Sequence, residues 1–377
     1  MGKSGGRLGG YPFEGLPPYA RNQWYLAAWS DEVGRTPLER TILGDLLVLY
    51  RTEAGRAVAQ SGLCPHRWMP LAKGRLTGDG IECAYHGMAF GADGQCRRAP
   101  GGRETVPRNA HLRCLPLVEQ APCLWIWPGD PARADVAAIP DLGRAGLTGD
   151  SWHVELDAPV RIPTRAILLI DNLFDQSHIA LVHPGSLGGT KVPELDEMTV
   201  EEGPSWLRVS HDLPVRLSDA SVRVAFPRAG PFVRLRVHSE LLGVSLVKAV
   251  GSETYSATSE GVFLELLGSV NFLHFITPET PRSTHYFAAS SRDFARADTG
   301  LSAVLKERGR IVLREDLAVI EAIEAVVDQH ADQRREVSFP TDAIALRIRQ
   351  RLRRLIQSEL ADVEAAEPNL KTESAPY

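Results

Sequence analysis

The sequence predicts an α+β fold that begins with an all-β domain, and three features support this prediction. Short apolar runs between residues 24 and 127 are separated by tight-turn sequences, which is typical of antiparallel strands. Beyond residue 152, alternating apolar and β-branched residues indicate further strands. Two later segments, 301–327 and 343–360, have the apolar periodicity of helices. The second half of the chain is therefore predicted to combine strands with C-terminal helices.

Changes in composition divide the chain into four segments. The length of 377 residues exceeds the ~150 residues of a typical domain, so we expect two domains with substantial cores. The boundary between them is placed in the turn-rich stretch from Pro128 to Pro140. The predicted segments are a Gly- and Pro-rich leader (1–20), the all-β domain (21–135), the mixed domain (136–365) and a polar tail (366–377).

Charge and hydropathy argue against two classes of partner. The net charge is −5 and the 42 Lys and Arg residues are spread along the chain, so no concentrated basic surface is available for nucleic acid. The longest apolar stretch, 261–276, contains Glu265, Asn271 and His274 and falls short of a bilayer span. We expect no nucleic-acid partner and no membrane association.

The cysteine content and the N-terminal residues favour a cytoplasmic location. Five cysteines are an odd and sparse set for a secreted disulfide framework, so a metal site or free thiols are favoured. The first ten residues are rich in glycine and lack the apolar segment of a signal peptide. The cysteines are Cys64, Cys83, Cys96, Cys114 and Cys123.

The first candidate metal site consists of Cys64-Pro65-His66 and Cys83-Ala84-Tyr85-His86. Zinc fingers usually pair cysteine with cysteine and histidine with histidine, whereas here each segment carries one of each. This distribution suits a [2Fe–2S] cluster in which the cysteines bind one iron and the histidines bind the other. A zinc ribbon and four unrelated core residues are the alternatives. The other three cysteines lack such spacing and are interpreted as small buried hydrophobic residues.

The same residues resemble a known motif. Cys64-Pro65-His66, sixteen further residues and Cys83-Ala84-Tyr85-His86-Gly87 resemble the Rieske motif. The flanking segments 22–28 and 125–130 resemble the oxygenase components of Rieske non-haem iron oxygenases. The resemblance covers about residues 22–360 and is closest to the vanillate, toluenesulfonate and dicamba demethylase branch. It implies that the two cysteines and two histidines hold a [2Fe–2S] cluster.

A second group of candidate ligands lies shortly before Pro184. Asp175 and His178 are three residues apart and would share a helix face, whereas the step of five to His183 rotates away from that face. Pro184 disfavours the α conformation at His183, so a helix is predicted to end or distort there. The two imidazoles indicate a metal site that needs a third protein ligand.

Asp316 is the candidate for the third ligand. It shares a helical stripe with apolar residues, so its carboxylate should face the interior, where it is costly unless it is paired or binds a metal. Two imidazoles and one carboxylate form the facial triad that binds Fe(II) and leaves positions open for O2 and substrate. The alternatives are a helix-dipole or salt-bridge role for Asp316 and ligation by the neighbouring Glu315. The apolar members of the stripe are Leu313, Ile320, Ile323 and Val327.

Asn172, Asp175, His178, His183 and the distant Asp316 resemble the catalytic domain of the same family. The resemblance implies a helix-grip, START-like fold with a curved antiparallel sheet, and Fe(II) bound by the two histidines and Asp316. Asn172 and Asp175 are the implied further catalytic residues. In this family the matching Asp links a Rieske histidine of one subunit to an iron-binding histidine of the next, which implies a ring-shaped homo-oligomer, usually a trimer.

The resemblance also implies the reaction. The chain is expected to be a terminal oxygenase component that oxidises a small, acidic aromatic substrate with O2, by monooxygenation or O-demethylation. No Gly-rich dinucleotide fingerprint follows a strand, so the electrons are expected from a separate reductase or ferredoxin. His274 resembles a pocket-lining residue of the demethylase branch, and a hydrogen-bonded strand histidine is the alternative. Ring hydroxylation or dioxygenation stays open, as does a Rieske electron carrier with an apolar-ligand-binding domain.

The basic residues of the last helical segment are interpreted as its solvated face, because Leu352, Leu355, Ile356 and Leu360 supply an apolar stripe on the other side. These basic residues are Arg347, Arg349, Arg351, Arg353 and Arg354.

Overall fold

The computed structural model describes residues 11–100, 106, 109–188, 197–331 and 336–370. The chain forms two compact units. The first comprises Arg21–Ile139 and Thr277–Pro281, and the second comprises the other described residues. The limits that the sequence suggests for the leader, the two domains and the tail stay predictions.

Short antiparallel strands build the first unit. They form three sheets, in the orders β1-β10-β9, β2-β3-β4 and β5-β6-β7-β8. Apart from 3₁₀ turns, the described residues of this unit contain no helix, so the prediction of an all-β domain is confirmed. The strands are β1 (Tyr25–Trp29), β2 (Leu38–Ile42), β3 (Asp45–Arg51), β4 (Ala57–Ser61), β5 (Arg75–Thr77), β6 (Gly80–Glu82), β7 (Ala89–Phe90), β8 (Cys96–Arg98), β9 (Leu117–Gln120) and β10 (Cys123–Ile126).

One hydrophobic cluster of the first unit encloses two of the candidate ligands. Cys64 and Cys83 are each 2% exposed and pack in this cluster with Ile81, Phe90 and Met88. The loops that carry the candidate ligands therefore start from a close-packed core, which restricts the positions of both sulfur atoms.

A single nine-stranded sheet organises the second unit. Its main path runs β11-β19-β18-β17-β16-β14-β13, with β12 paired to β19 and β15 paired to β16. The observed antiparallel ladders confirm the predicted sheet. The strands are β11 (His153–Leu156), β12 (Val160–Ile162), β13 (Thr199–Glu202), β14 (Trp206–Asp212), β15 (Arg216–Leu217), β16 (Phe232–Leu242), β17 (Leu246–Ala257), β18 (Phe263–Thr280) and β19 (Ser283–Arg292).

Six α-helices are present among the described residues, and together with the sheet they confirm the α+β prediction. None of them is both long enough and apolar enough to span a membrane. The helices are α1 (Leu142–Ala145), α2 (Ala166–Phe174), α3 (Ile179–Val182), α4 (Ala220–Ala225), α5 (Thr299–His330) and α6 (Ala343–Leu370).

Helix α5 carries the candidate ligand Asp316 near its middle. Asp298 caps its N-terminus by accepting a hydrogen bond from the Leu301 amide at 2.9 Å. Asp316 and Ile320 are buried, as the apolar stripe predicts, whereas Ile323 is 43% exposed. The stripe prediction therefore holds in the middle of the helix and fails toward its C-terminal end.

Helix α6 departs from its predicted solvated face at Arg349. The Arg349 guanidinium donates two hydrogen bonds, of 2.6 and 2.9 Å, to Asp171 on α2, and it also contacts the Tyr11 hydroxyl. Burial raises the pKa of Asp171 to about 6 in spite of this partner. The interpretation as a solvated face was wrong at this residue, and also at Arg351 and Arg353, which donate to Gly203 O and Pro12 O. Charge spacing along a helix does not reveal which of its residues contact other elements.

Candidate metal centres

The two loops of the first candidate site have the same backbone hydrogen-bond pattern. The Cys64 amide donates to Met69 O at 3.0 Å, and the Trp68 amide donates to Cys64 O at 2.8 Å. In the second loop, the corresponding bonds run from Cys83 to Met88 O at 2.8 Å and from Gly87 to Cys83 O at 3.0 Å. Each loop therefore presents its cysteine and its histidine from an equivalent backbone frame.

The four side chains of these loops form two pairs rather than one tetrahedron. The two thiols are buried, and burial raises the pKa of Cys64 to about 11. The His66 and His86 rings are exposed, and their Nδ1 atoms lie 3.1 Å apart. A thiol pair in the core and an imidazole pair at the surface fit a cluster with two irons better than one zinc ion.

The residue that closes each loop has a positive φ angle. Gly87 adopts φ of +68°, which glycine tolerates, but the equivalent Trp68 adopts φ of +56°. The Trp68 side chain is 76% exposed, so burial of the indole does not offset the backbone strain. Tyr85 is 60% exposed and its ring centroid lies 3.8 Å from that of His86. Two large aromatic side chains thus lie exposed on the ligand loops.

The second candidate site lies where α2 ends. The sequence predicts that Asp175 and His178 share a helix face, but Asp175 is the C-cap of α2 and His178 is the N-cap of the short helix α3. Asp175 Oδ1 accepts hydrogen bonds from the amide and the hydroxyl of Ser177, at 2.7 and 2.5 Å. This local turn competes with the helical hydrogen bonds. The helix ends again at His183, next to Pro184, as expected.

His178, His183 and Asp316 come together although Asp316 is far away in the sequence. One ligand atom from each residue lies within 4.8 Å of the others, and among the described residues this is the single group of three such atoms. Asp316 Oδ1 lies 2.9 Å from His183 Nε2 and 3.3 Å from His178 Nε2. It also accepts a hydrogen bond of 3.1 Å from the Asn172 amide.

The electrostatics of this group favour a bound cation. Burial alone would lower the pKa of His178, but the carboxylates of Asp175 and Asp316 raise it to about 9. The two carboxylates beside His178 give this site a negative potential, which favours a divalent cation in place of the proton. Two imidazoles and one carboxylate therefore fit a mononuclear iron.

Each of the two imidazoles has a carboxylate on the side away from the triad. His178 Nδ1 lies 3.7 Å from Asp175 Oδ2, whereas His183 Nδ1 lies 2.7 Å from Glu315 Oε2. Glu315, the alternative third ligand in the sequence, therefore lies behind His183, while Asp316 faces both Nε2 atoms.

His274 lies on β18 and contacts Tyr286 of β19. The Tyr286 hydroxyl is hydrogen-bonded to His274 Nδ1, and Val247 is the neighbour of His274 on β17. Burial lowers the pKa of His274 to about 4, and the Asp316 charge opposes this shift. His274 is hydrogen-bonded to a neighbouring strand, as one sequence interpretation predicts, and its pKa is affected by the Asp316 charge. The other interpretation, a pocket-lining residue, stays a prediction.

Three residues of these sites were missed by the sequence interpretation, namely Ser177, Ser186 and Tyr286. Ser177 could have been found, because an Asp with a Ser two positions later is a turn signal. Ser186 and Tyr286 make their contacts with residues that are remote or on another strand, so local spacing does not reveal them. Of the remaining cysteines, Cys123 is buried as predicted, whereas Cys96 and Cys114 are only partly buried.

Comparisons with known proteins match both units. The vanillate O-demethylase oxygenase C-terminal domain model matches residues 162–358, and the Rieske [2Fe–2S] domain model matches residues 23–116. The chain is 33% identical to the oxygenase component of dicamba O-demethylase from Stenotrophomonas maltophilia, over 91% of this chain and 99% of that protein. It is 32% identical to the toluene-4-sulfonate monooxygenase system iron-sulfur subunit of Comamonas testosteroni, over 90% and 98%.

A solved structure agrees with these relatives. The crystal structure of dicamba monooxygenase with non-haem iron and dicamba matches this chain with a TM-score of 0.76 and 30% identity, over 91% of this chain and 98% of that one. A Rieske domain followed by a domain with a histidine and carboxylate triad defines the class of Rieske non-haem iron oxygenases. The chain belongs to the vanillate O-demethylase oxygenase family. It is an oxygenase component, and its cofactors are one [2Fe–2S] cluster and one mononuclear iron.

Proposed function

We propose that the two groups of ligands described above hold the two metals of this family. The cluster ligands are Cys64, His66, Cys83 and His86. The iron ligands are His178, His183 and Asp316. The observation that carries the proposal is the convergence of the iron ligands within 4.8 Å, in a chain that also carries paired thiols and paired imidazoles on equivalent loops.

When bound, the cluster supplies single electrons and the iron activates O2 for insertion into a C–H bond. The chain itself restrains the ligands. Asn172 donates to Asp316 Oδ1 and so limits rotation of that carboxylate. His178, His183 and Asp316 would hold the iron through three protein ligands, and a ligand set of this kind would leave room for O2 to bind.

Asp175 is proposed to connect the cluster of one copy of this chain with the iron of the next, so that an electron can pass between them. Its Oδ1 is engaged by Ser177, while Oδ2 faces His178 and the side chain remains 29% exposed. A Rieske histidine of a second copy could therefore reach the carboxylate from the surface. A carboxylate that contacts an imidazole on each side would connect the two metals through hydrogen bonds.

We propose a homotrimer, because the contact of Asp175 with a Rieske histidine requires a second copy of this chain and the family resemblance implies a ring of three. The exposed His66 and His86 are accompanied by the exposed rings of Trp68 and Tyr85, which are suited to burial against protein. On the second unit, Leu181 is 85% exposed on α3, between the two histidine ligands. An apolar contact of this kind would exclude water from the route between the copies.

The proposed substrate is a small aromatic acid. The two relatives named above belong to a dicamba O-demethylase and to a toluene-4-sulfonate monooxygenase system. The neutral His274 could donate a hydrogen bond to an oxygen of such a substrate from Nε2, because the Tyr286 hydroxyl occupies Nδ1. The electron donor is proposed to be a separate reductase or ferredoxin, and the location is proposed to be the cytoplasm.

The proposed reaction is oxidation of a C–H bond, in O-demethylation that of a methoxy group. The methoxy compound, O2, two electrons and two protons give a hemiacetal and water. The hemiacetal then loses formaldehyde and leaves the phenol. The chain would bind the substrate and provide the metal ligands, and the partner reductase would supply both electrons.

Product analysis with isotopically labelled O2 tests this reaction. The holoenzyme, a surrogate reductase and NADH would be incubated with matched pairs of methoxylated and non-methoxylated aromatic acids. O-demethylation yields unlabelled phenol, one CH2 unit lighter than its substrate, with one formaldehyde per phenol. Ring hydroxylation or dioxygenation instead places labelled oxygen on the aromatic product. An electron carrier would reduce acceptor proteins and yield no oxidised aromatic product, and it would contain two rather than three irons per two sulfides.

A further inference from the structure

Glu315 has a well-defined contact that differs from a ligand contact. Its Oε2 lies 2.7 Å from His183 Nδ1 and accepts a hydrogen bond of 2.5 Å from the Ser186 hydroxyl. The imidazole of His183 is 1% exposed, while the Glu315 side chain is 32% exposed. The carboxylate therefore reaches from the solvent side to the back of a fully buried ring.

The direction of this hydrogen bond determines the tautomer of His183. An ionised carboxylate only accepts, so Nδ1 of His183 must carry the proton and donate it. With Nδ1 engaged as the donor to Glu315, Nε2 is the nitrogen left to bind a metal once it gives up its own proton, and it faces Asp316 Oδ1 at 2.9 Å. The tautomer with its proton on Nδ1 is the one that a metal ligand at Nε2 requires.

Two further contacts hold the carboxylate in place. Ser186 lies in the π-helical turn Pro184–Gly188 that follows His183, and its hydroxyl restrains Glu315 Oε2. Arg308, two helical turns before Glu315 on α5, donates from Nε to Ser186 O at 2.9 Å. The turn and α5 are therefore connected twice, and these bonds restrain the Glu315 carboxylate that contacts His183 Nδ1.

From these contacts we infer that Glu315 is a positioning residue for the mononuclear iron. It holds His183 in the Nε2-binding tautomer and orientation, with Ser186 as its support. The inference rests on the proposed function, in which His183 is an iron ligand. Glu315 does not take the place of Asp316, because its carboxylate meets the opposite nitrogen of the ring.

The other histidine of the triad is held more loosely. Ser177 and Asp175 repeat the arrangement of a serine, a carboxylate and an imidazole, but the distance from Asp175 Oδ2 to His178 Nδ1 is 3.7 Å. The contact between Glu315 and His183, at 2.7 Å, is therefore the closer of the two contacts between a carboxylate and a ligand ring. Asp175 keeps an oxygen for another partner.

Iron retention in purified holoenzyme tests the inference without measuring activity. Glu315→Leu, Glu315→Gln and Ser186→Ala would be compared with wild type, with Glu307→Gln as the control. Glu307 lies on the same helix, and its side chain is 58% exposed. Each protein would be exposed to a ferrous chelator, and the iron per sulfide and the rate of loss of the third iron would be measured. The nitric oxide adduct of the remaining Fe(II) would be recorded by EPR.

We expect Glu315→Leu to weaken retention of the third iron about 10- to 100-fold, which is typical for loss of a hydrogen-bonding partner of a metal ligand. Glu315→Gln should show a smaller loss because the amide oxygen still accepts from Nδ1, and Ser186→Ala the smallest. Altered rhombicity of the nitric oxide signal should accompany each loss, while the Rieske spectrum stays unchanged.

Wild-type retention in Glu315→Leu and Ser186→Ala would overturn the inference. So would retention of iron in Asp316→Ala combined with its complete loss in Glu315→Leu, since Glu315 would then be the ligand. If wild-type protein itself binds no third iron, the proposed function fails, and this outcome is distinct from either of the others. Ser186→Ala leaves α5 unchanged and keeps the test decisive if Glu315→Leu fails to fold.

Discussion

His66 and His86 lie exposed at the ends of two loops, whereas His178 is largely buried and His183 fully buried, both against carboxylates. The first pair is held by backbone hydrogen bonds that repeat from one loop to the other. The second pair is held by Asp175 and Glu315, which approach from different elements. The difference fits the two tasks proposed above. Exposed imidazoles on a cluster would pass electrons to another protein surface, while buried and oriented imidazoles would keep an iron site in one geometry.

Removal of one thiol from the core should have the largest effect. Cys64→Ser should abolish the [2Fe–2S] cluster and with it all turnover, because a buried serine hydroxyl is a poor cluster ligand. The partly buried Cys96 provides the matched control, and Cys96→Ser should retain wild-type colour. Visible absorption and sulfide content measure the outcome. A stoichiometric, colourless zinc protein in the wild type would contradict the assignment.

Removal of the buried Asp316 carboxylate should have the second-largest effect on activity. Asp316→Ala should lower product formation by more than about 100-fold, because two imidazoles alone bind Fe(II) weakly and lose the facial geometry. The Rieske spectrum should remain, since its ligands lie in the other unit. The exposed Glu321 of the same helix serves as the control, in Glu321→Ala. Full activity in Asp316→Ala would show that another residue supplies the third ligand.

Neutralising Asp175 should separate metal binding from electron delivery. Asp175→Asn keeps the size of the side chain and an oxygen for Ser177, so both metals should stay bound. Turnover should fall about 10- to 100-fold, as is typical for such partners of a ligand. Single-turnover experiments that follow reoxidation of the cluster measure this step, and Asp150→Asn at an exposed site is the control. Unchanged reoxidation would refute the bridging role.

The smallest effect is expected at Trp68. Trp68→Gly removes the strain of φ +56°, whereas Trp68→Ala keeps a side chain in the left-handed region, so the glycine variant should be more stable by ~1 kcal/mol. Thermal loss of the cluster absorbance would rank the two variants. Both should show weaker self-association than wild type by sedimentation, because both lack the exposed indole. Equal stability of the two variants would argue against strain, and wild-type association would argue against a contact between copies.

Local sequence was most informative where the ligands are close together in the chain. The spacing of Cys64, His66, Cys83 and His86 predicts a cluster, and the structure sets these residues on two equivalent loops. The end of a helix at His183 was also foreseen from Pro184. The earlier end of α2 at Phe174 does not follow from helix periodicity, because the Ser177 amide and hydroxyl form a local turn with Asp175 Oδ1.

Sequence was least informative where long-range packing determines which of two adjacent residues in the chain contacts the site. Glu315 and Asp316 are adjacent on one helix and point about 100° apart, so only the docking of α5 determines which carboxylate meets the Nε2 atoms. The resemblance to the family favours Asp316, and Asp316 is the carboxylate whose Oδ1 lies near both Nε2 atoms. Arg349 is a similar case, since its partner Asp171 lies 178 residues away.

The sequence by itself determined the class of fold, the family and the local spacing of both histidine pairs, because strand and helix periodicity and ligand loops are encoded by residues close together in the chain. Only the tertiary structure decided how those ligands are supported. It brings α5 to the end of α2, so that Asp316 meets both histidines and Glu315 reaches the back of His183. Contacts between residues more than 130 positions apart depend on the packing of whole elements, and no local pattern specifies that packing.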